Sequence, residues 1–187
     1  MRFSVRAATA DDAEGIARVH VSSWQAAYAG LVPQAHLDAL SWEARRTRWS
    51  AQLGDSGDPG YRTVVALDGT GSVVAFATFG PARDADLGSL GSYEVLAIYA
   101  VPDVWGRGVG RALLAAVEDA LPRDVDVVLW VLSGNTRGRA FYERSGFVAD
   151  GTVKVEDVGG APLEEMRYRR PLGAPTPAAG VIPGPAE

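Results

Sequence analysis

The stretch "VPDVWGRGVGRALL", residues 101–114, decides how the rest of the chain is read. It follows a run of apolar and β-branched residues and turns on glycines at 106, 108 and 110. It then passes at once into a helical pattern with Leu113, Ala116, Val117, Ala120 and Leu121 along one side. Glycines let a backbone come close to a ligand, and a helix start offers unpaired N–H groups at the positive end of its dipole. Strand, glycine-rich turn and helix in direct succession therefore suit a phosphate. Arg107 and Arg111 are four residues apart, so both can lie near one anion and add charge-assisted hydrogen bonds. The spacing sets this turn apart from two other phosphate binders. A P-loop ends in Gly-Lys-Ser/Thr, which is missing here, and the dinucleotide fingerprint G-x-G-x-x-G needs its third glycine one residue later than Gly110. A purely structural role, in which the glycines only make a tight turn, stays open on these residues alone.

Outward from this turn, residues 92–101 read as a strand ended by Pro102. Residues 125–132 are too continuously apolar for a sheet edge and belong in its interior. Residues 61–68 and 72–80 flank the turn "GTG" as an antiparallel hairpin. Toward the N-terminus, residues 3–8 alternate as a first strand. The segment "TADD" then caps a helix with Ile16, Val19, Ser23 and Ala27 on its apolar face, stopped by Gly30. Pro33 opens a further helical stretch, and Ser41 caps one that carries Trp42, Trp49 and Leu53 on one side. Residues 54–60 and 81–91 are loops. Asn135 caps the helix "TRGRAFYERS", which Gly146 ends, and residues 147–170 form a closing strand pair turning near Gly159 and Gly160. One domain over residues 1–172 is expected, with a Pro/Gly/Ala-rich disordered tail at 173–187.

The composition narrows the chemistry. With 187 residues and 47% hydrophobic content, the chain buries a real core, roughly 70% of its unfolded surface, and needs no disulfide or metal to stay folded. Cys 0 excludes thiol catalysis and Cys-ligated zinc, and His20 and His36 are too few for a His-rich metal site, so no metal is expected. Acid–base work falls to Glu, Asp, Tyr or water. The net charge of -5 disfavours nucleic acid as a partner. No apolar run approaches the roughly 20 residues of a membrane span, and the N-terminus lacks a secretory core, so no membrane association and a cytoplasmic location are expected.

A second segment, "NTRGRAFYERSGF" at 135–147, follows the glycine-rich turn after one buried strand. Together the two resemble the GNAT superfamily, the acetyl-CoA-dependent N-acetyltransferases. The family's turn reads Q/R-x-x-G-x-G/A; Gly108 and Gly110 fit it, while Trp105 stands where Gln or Arg is usual. The second segment is similar to N-x-x-A-x-x-F-Y-x-x-x-G-F, with Ala140 slightly displaced. The resemblance covers nearly the whole chain except the tail. It implies an α/β (α+β) fold with a central mixed, largely antiparallel sheet of about seven strands, splayed between the fourth and fifth and flanked by helices.

The same resemblance implies a site. Coenzyme A would enter the opening between residues 92–101 and 125–132. Backbone groups of Ile98, Tyr99, Ala100 and Val101 would pair with the pantetheine amides, an N–H near Ile98 or Tyr99 would meet the oxyanion, and the N–H groups of Arg107, Gly108, Val109, Gly110, Arg111 and Ala112 would hold the pyrophosphate. Glu94, on the fourth strand, would take the amine proton, against the alternative of an edge salt bridge. Tyr142 would protonate the leaving thiolate. Asn135 lies seven residues before Tyr142, which puts both on one helical face with Arg139 between them, and that face would look at the cofactor. The acceptor would lie opposite, where Trp24 and Tyr28 share a helix face and form either a pocket wall or ordinary core. His20 extends that face as a hydrogen-bonded structural residue.

The implied activity is transfer of an acetyl group from acetyl-CoA to a primary amine of a small molecule, amino acid or peptide, by direct attack in a ternary complex. Homodimers are common in the family. A non-catalytic acetyl-CoA sensor or scaffold is the alternative that Trp105 keeps open, and a plain nucleotide-binding domain is a third.

Overall fold

The structure is a computed structural model and describes residues 3–54, 57–58, 60–87 and 91–171; the expected tail at 173–187 lies outside them. The elements run β1 (Ser4–Ala7), α1 (Ala13–Ala27), α2 (Gln34–Asp38), α3 (Trp42–Leu53), β2 (Arg62–Leu67), β3 (Val73–Pro81), β4 (Tyr93–Ala100), α4 (Val109–Ala120), β5 (Asp126–Leu132), α5 (Thr136–Arg144), β6 (Val148–Val158) and β7 (Ala161–Pro171). Short 3-10 turns precede α1, β4 and α4. The strands form one seven-stranded sheet in the order β1-β2-β3-β4-β5-β7-β6. Every neighbouring pair is antiparallel except β4 and β5. This is the mixed, helix-flanked architecture expected from the sequence.

The local signals act as their chemistry requires. Ser41 Oγ accepts the Ala44 N–H at 3.1 Å and starts α3, and the Asp12 carboxylate accepts the Thr9 N–H at 2.8 Å ahead of α1. Alternation along β2 sends Val65 to one sheet face and Val64 and Ala66 to the other. The first face buries Ile16, Ala17 and Val19 of α1 and Trp49 of α3 against Val65 and Phe76. The second buries Leu113, Leu114 and Val117 of α4 against Ala75, Ala77 and Leu129. Each such fully buried aliphatic side chain contributes about 1.5–3 kcal/mol, so the two helical layers hold the sheet from both sides. At the far edge, β6 leaves Val148, Val153 and Val155 exposed.

The feature that makes a site is the failure of one strand pair. β4 and β5 meet only at Tyr93 with Val127 and Glu94 with Val128, although β4 continues to Ala100 and β5 to Leu132. Just past the last paired residue, Phe79 faces Val95 and Thr78 faces Ala97, which leaves Leu96 as an extra residue. Such a bulge bends its strand and increases the local twist. β4 therefore stays on β3 and diverges from β5, opening a wedge in the middle of the sheet.

Candidate active site

The wedge is a cleft of about 730 Å³. One end is walled by α1, the middle by the open edge of β4, and the other end by the starts of α4 and α5. A space of this size, lined by apolar and aromatic side chains together with charged ones such as Arg83, Glu94, Arg111 and Lys154, suits a ligand of cofactor dimensions that itself carries charge.

At the α4 end, Gly106 and Gly108 have φ of +74° and +87°, a conformation that costs other residues energy. Gly110 serves a different need: a Cβ there would lie 2.9 Å from Phe141 Cζ, so only glycine lets α5 pack so close. Six amide donors are expected from the sequence, and the structure narrows them to four. The Arg107 N–H is donated to Val104 O at 3.2 Å and that of Ala112 to Gly108 O at 3.1 Å. Among the described residues, the N–H groups of Gly108, Val109, Gly110 and Arg111 have no backbone acceptor, as the first turn of a helix dictates. These four residues line the cleft; Arg107 and Ala112 do not.

Along β4, the expectation that four consecutive residues offer backbone groups is corrected by strand geometry. Val101 N–H is donated to Val74 O at 3.0 Å, toward β3. Hydrogen-bonding direction alternates along an antiparallel pair, so Tyr99 and Val101 face β3, and Ile98 and Ala100 face the gap. Val101 does not line the cleft. The Ala100 carbonyl is met by the Trp105 indole N–H at 2.7 Å, so the residue at the unusual position ties the glycine turn back to the strand. Arg137, at the start of α5, stacks its guanidinium 4.0 Å from the Trp105 ring centre, closing the turn from the other side.

The two expected acid–base residues both line the cleft. Glu94 is only 2% exposed, and Arg83 forks its carboxylate: Nε is 2.9 Å from Oε2 and Nη2 is 2.6 Å from Oε1. The salt bridge weighed as the alternative for Glu94 is present, and it is inside the cleft rather than apart from it. Tyr142 is half-buried on α5, and burial, with Tyr99 nearby, pushes its phenol up. Asn135 caps α5 through Oδ1, which accepts the Gly138 N–H at 2.9 Å, and also borders the cleft. Arg139 is a correction. Its Nε is donated to Tyr168 Oη at 3.1 Å and its Nη1 to Ser133 O at 3.2 Å, so its guanidinium is taken up by β7 and the β5–α5 turn and lines no part of the cleft.

At the α1 end, Trp24 and Tyr28 line the cleft with Tyr99, Trp24 and Tyr28 meeting edge-on at 5.0 Å. Both also pack on Val32, Leu37 and Leu132, so the pocket-wall and core roles coincide. His20 overturns its expected hydrogen-bonded role. Rings of Trp24, Trp49, Phe76 and Tyr99 surround it, and neither its nitrogens nor Trp24 Nε1 finds a partner among the described residues. Burial, with Arg45 nearby, pushes the imidazole down to about 3. Between pH 6.5 and about 3 the unfolded chain therefore binds a proton at His20 that the folded chain does not. Stability from this group is complete above that window and is lost as pH falls through it. A His20→Leu variant is expected to lose about one proton's worth of this slope, about 1.4 kcal/mol per pH unit. Denaturant midpoints of both proteins at pH 4 to 7 measure the difference, and parallel curves would count against it.

Residues not singled out from the sequence complete one wall. Arg167 on β7 is 4% exposed and reaches Asp150 at 2.6 Å, Asp86 at 2.7 Å and Asp84 at 3.2 Å. Trp130 on β5 donates Nε1 to Asp84 Oδ2 at 3.1 Å. The loop after β3 is thereby fastened across the wedge to the β5–β7–β6 half, carrying Arg83 to Glu94. No local pattern announces this, because Arg167 and Asp84 are 83 residues apart.

Comparison with known proteins bears on the family and the fold. Residues 21–147 match the Acetyltransferase (GNAT) family. The chain is 34% identical over 134 residues to the "Uncharacterized N-acetyltransferase YuaI" of Bacillus subtilis, covering 71% of this chain and 73% of that one. It superposes with TM-score 0.68 and 25% identity on a GNAT superfamily phosphinothricin acetyltransferase from Sinorhizobium meliloti solved with AcCoA, covering 98% and 97% of the two chains. The fold is also shared by the PaiA N-acetyltransferase of Thermoplasma acidophilum, solved with coenzyme A, at TM-score 0.63 and 20% identity over 91% of this chain and 100% of that one. A wedge-split sheet, a helix start with four unsatisfied amides and a family match over most of the length lead to one statement: this chain belongs to the GNAT family of acetyltransferases.

Proposed function

We propose that the chain transfers an acetyl group from acetyl-CoA to a primary amine. The observation that carries this reading is the convergence on one cleft of four unsatisfied amide donors at the start of α4 and an unpaired strand edge on β4. A diphosphate needs the first, with Arg111 adding charge. An amide-bearing arm needs the second, since an extended chain adds to an open edge as a further strand does. Ile98 and Ala100 are the residues whose backbone would hold it. Solved relatives carrying CoA or AcCoA support the same choice.

The reaction needs a neutral amine, and an alkyl ammonium has a pKa of about 10.4, so a base must take its proton. Glu94 is assigned that role. The amine nitrogen then bonds to the acetyl carbon as the carbon–sulfur bond breaks. Tyr142, whose phenol is held protonated by burial, supplies the proton to the departing thiolate and is restored by the second proton that the acetylated nitrogen gives up. Asn135 caps α5 and so fixes Tyr142 at the cleft.

Two measurements on the full chain test this. Calorimetry should show micromolar binding of CoA and none of NAD or ATP. Incubation with acetyl-CoA and a panel of primary amines should release thiol and add an acetyl mass to one amine class. Tight CoA binding with no release for any amine would instead favour a sensor or scaffold.

A further inference from the structure

We infer that Arg83 is a specificity-determining residue that binds the carboxylate of the acceptor, so that the acceptor is an α-amino acid, and that its transfer from Glu94 to the acceptor frees Glu94 for the amine proton. This rests on the acetyl-transfer reading above.

The two members of the Arg83–Glu94 pair are unequal. Glu94 is 2% exposed, whereas the Arg83 side chain is 56% exposed. The guanidinium is therefore the partner with room to move. It spends Nε and Nη2 on Glu94, and its Nη1 has no acceptor among the described residues. Its backbone is held, because the next residue, Asp84, is bound by both Trp130 and Arg167. A fixed backbone with a free guanidinium edge in a cleft is a preorganised receptor for a planar anion.

The charges around it select the ligand. A simple alkyl ammonium approaching Glu94 would meet the Arg83 guanidinium as a like charge on the same carboxylate, which disfavours it. A zwitterion avoids the conflict: its carboxylate takes the guanidinium and its ammonium takes the carboxylate that is released. The same cleft repeats the pattern, with Lys154 and Glu165 paired at 3.3 Å and Lys154 Nζ 4.5 Å from the centre of the Trp130 ring. The exchange replaces the one Arg83–Glu94 pair by two, Arg83 with the acceptor carboxylate and Glu94 with its ammonium. The proton then passes from the acceptor ammonium to Glu94, and the amine is left neutral for attack.

The test uses the full chain saturated with CoA. Binding of each standard L-amino acid is compared by calorimetry with the matched amine that lacks the carboxylate, such as leucine with 3-methylbutylamine. At least one amino acid should bind about 10-fold or more tighter than its amine, and Arg83→Gln should bring the ratio close to unity. Glu94→Gln leaves Arg83 unclaimed but removes the ammonium's partner, so turnover should fall while the preference for an amino acid over its matched amine is kept or increased; a merely structural Arg83 predicts no such preference. Equal binding within every pair, no binding by any amino acid, or a ratio that survives Arg83→Gln overturns the inference. These readouts do not depend on turnover. Absence of acetyl transfer with a clear carboxylate preference therefore counts only against the transfer reading, and transfer at equal rates within each pair counts only against this one.

Discussion

Tyr142→Phe is expected to lower kcat by about 10²- to 10⁴-fold, the range that a positioned proton donor supplies, while changing CoA affinity little. The reason is that the substitution removes one atom with a single role. The Tyr142 hydroxyl has no hydrogen-bond partner among the described residues, so Phe leaves no orphaned group behind. The ring keeps its contacts with Phe141 at 5.1 Å and Phe147 at 5.9 Å. Burial pushes the phenol above its ordinary value, so it stays protonated over the whole range in which an amine is acetylated. Its loss should lower the rate at every pH without moving the acidic limb. Thiol release against pH, with calorimetry on the same samples, separates the outcomes. An unchanged kcat removes Tyr142 as the acid, and a parallel loss of CoA affinity assigns it to binding instead.

Replacing Arg167 by Leu is expected to cost about 3 kcal/mol of stability, the lower end for breaking a buried ion pair by removing one partner. Arg167 is nearly inaccessible, and its three carboxylate partners are unequally so: the side chains of Asp150, Asp84 and Asp86 are 18%, 21% and 60% exposed. Two of them would be left partly buried without their cation. Asp86, already in water, should contribute little, and Asp86→Asn is the matching mild variant. Denaturant unfolding measures both, and equal, small losses would show that the hub is only a surface cluster. Because the hub anchors the loop that carries Arg83, the Leu variant should also weaken acceptor binding more than CoA binding.

The parts of this protein legible in its sequence are those governed by neighbours along the chain. A strand followed by Gly106, Gly108 and Gly110 and an amphipathic helix reads correctly because positive φ and an unsatisfied first turn are local properties. Asn135 as a cap is local in the same sense, its partner being three residues away. Tyr142 reaches the cleft because it sits on a helix whose faces are set by periodicity, whereas Glu94, only 2% exposed, reaches it because β4 parts from β5 just beyond it.

Errors begin where a side chain or amide has a choice that periodicity does not record. Arg139 shares a helix with Tyr142 but is long enough to reach Tyr168 on β7 instead. Val101 and Tyr99 lie beside Ile98 and Ala100 yet turn their amides to β3, since strand pairing alternates. His20 finds aromatic rings where a hydrogen-bond acceptor is expected. The sequence by itself determined the order of elements, the glycine turn and the family to which the chain belongs. Only the tertiary structure decided the bulge at Leu96 that opens the wedge, the Trp105 tie, and the Arg83 fork held in place through Arg167. The first group depends on contacts within a few residues, while the second depends on which distant strands the twist of the sheet brings together.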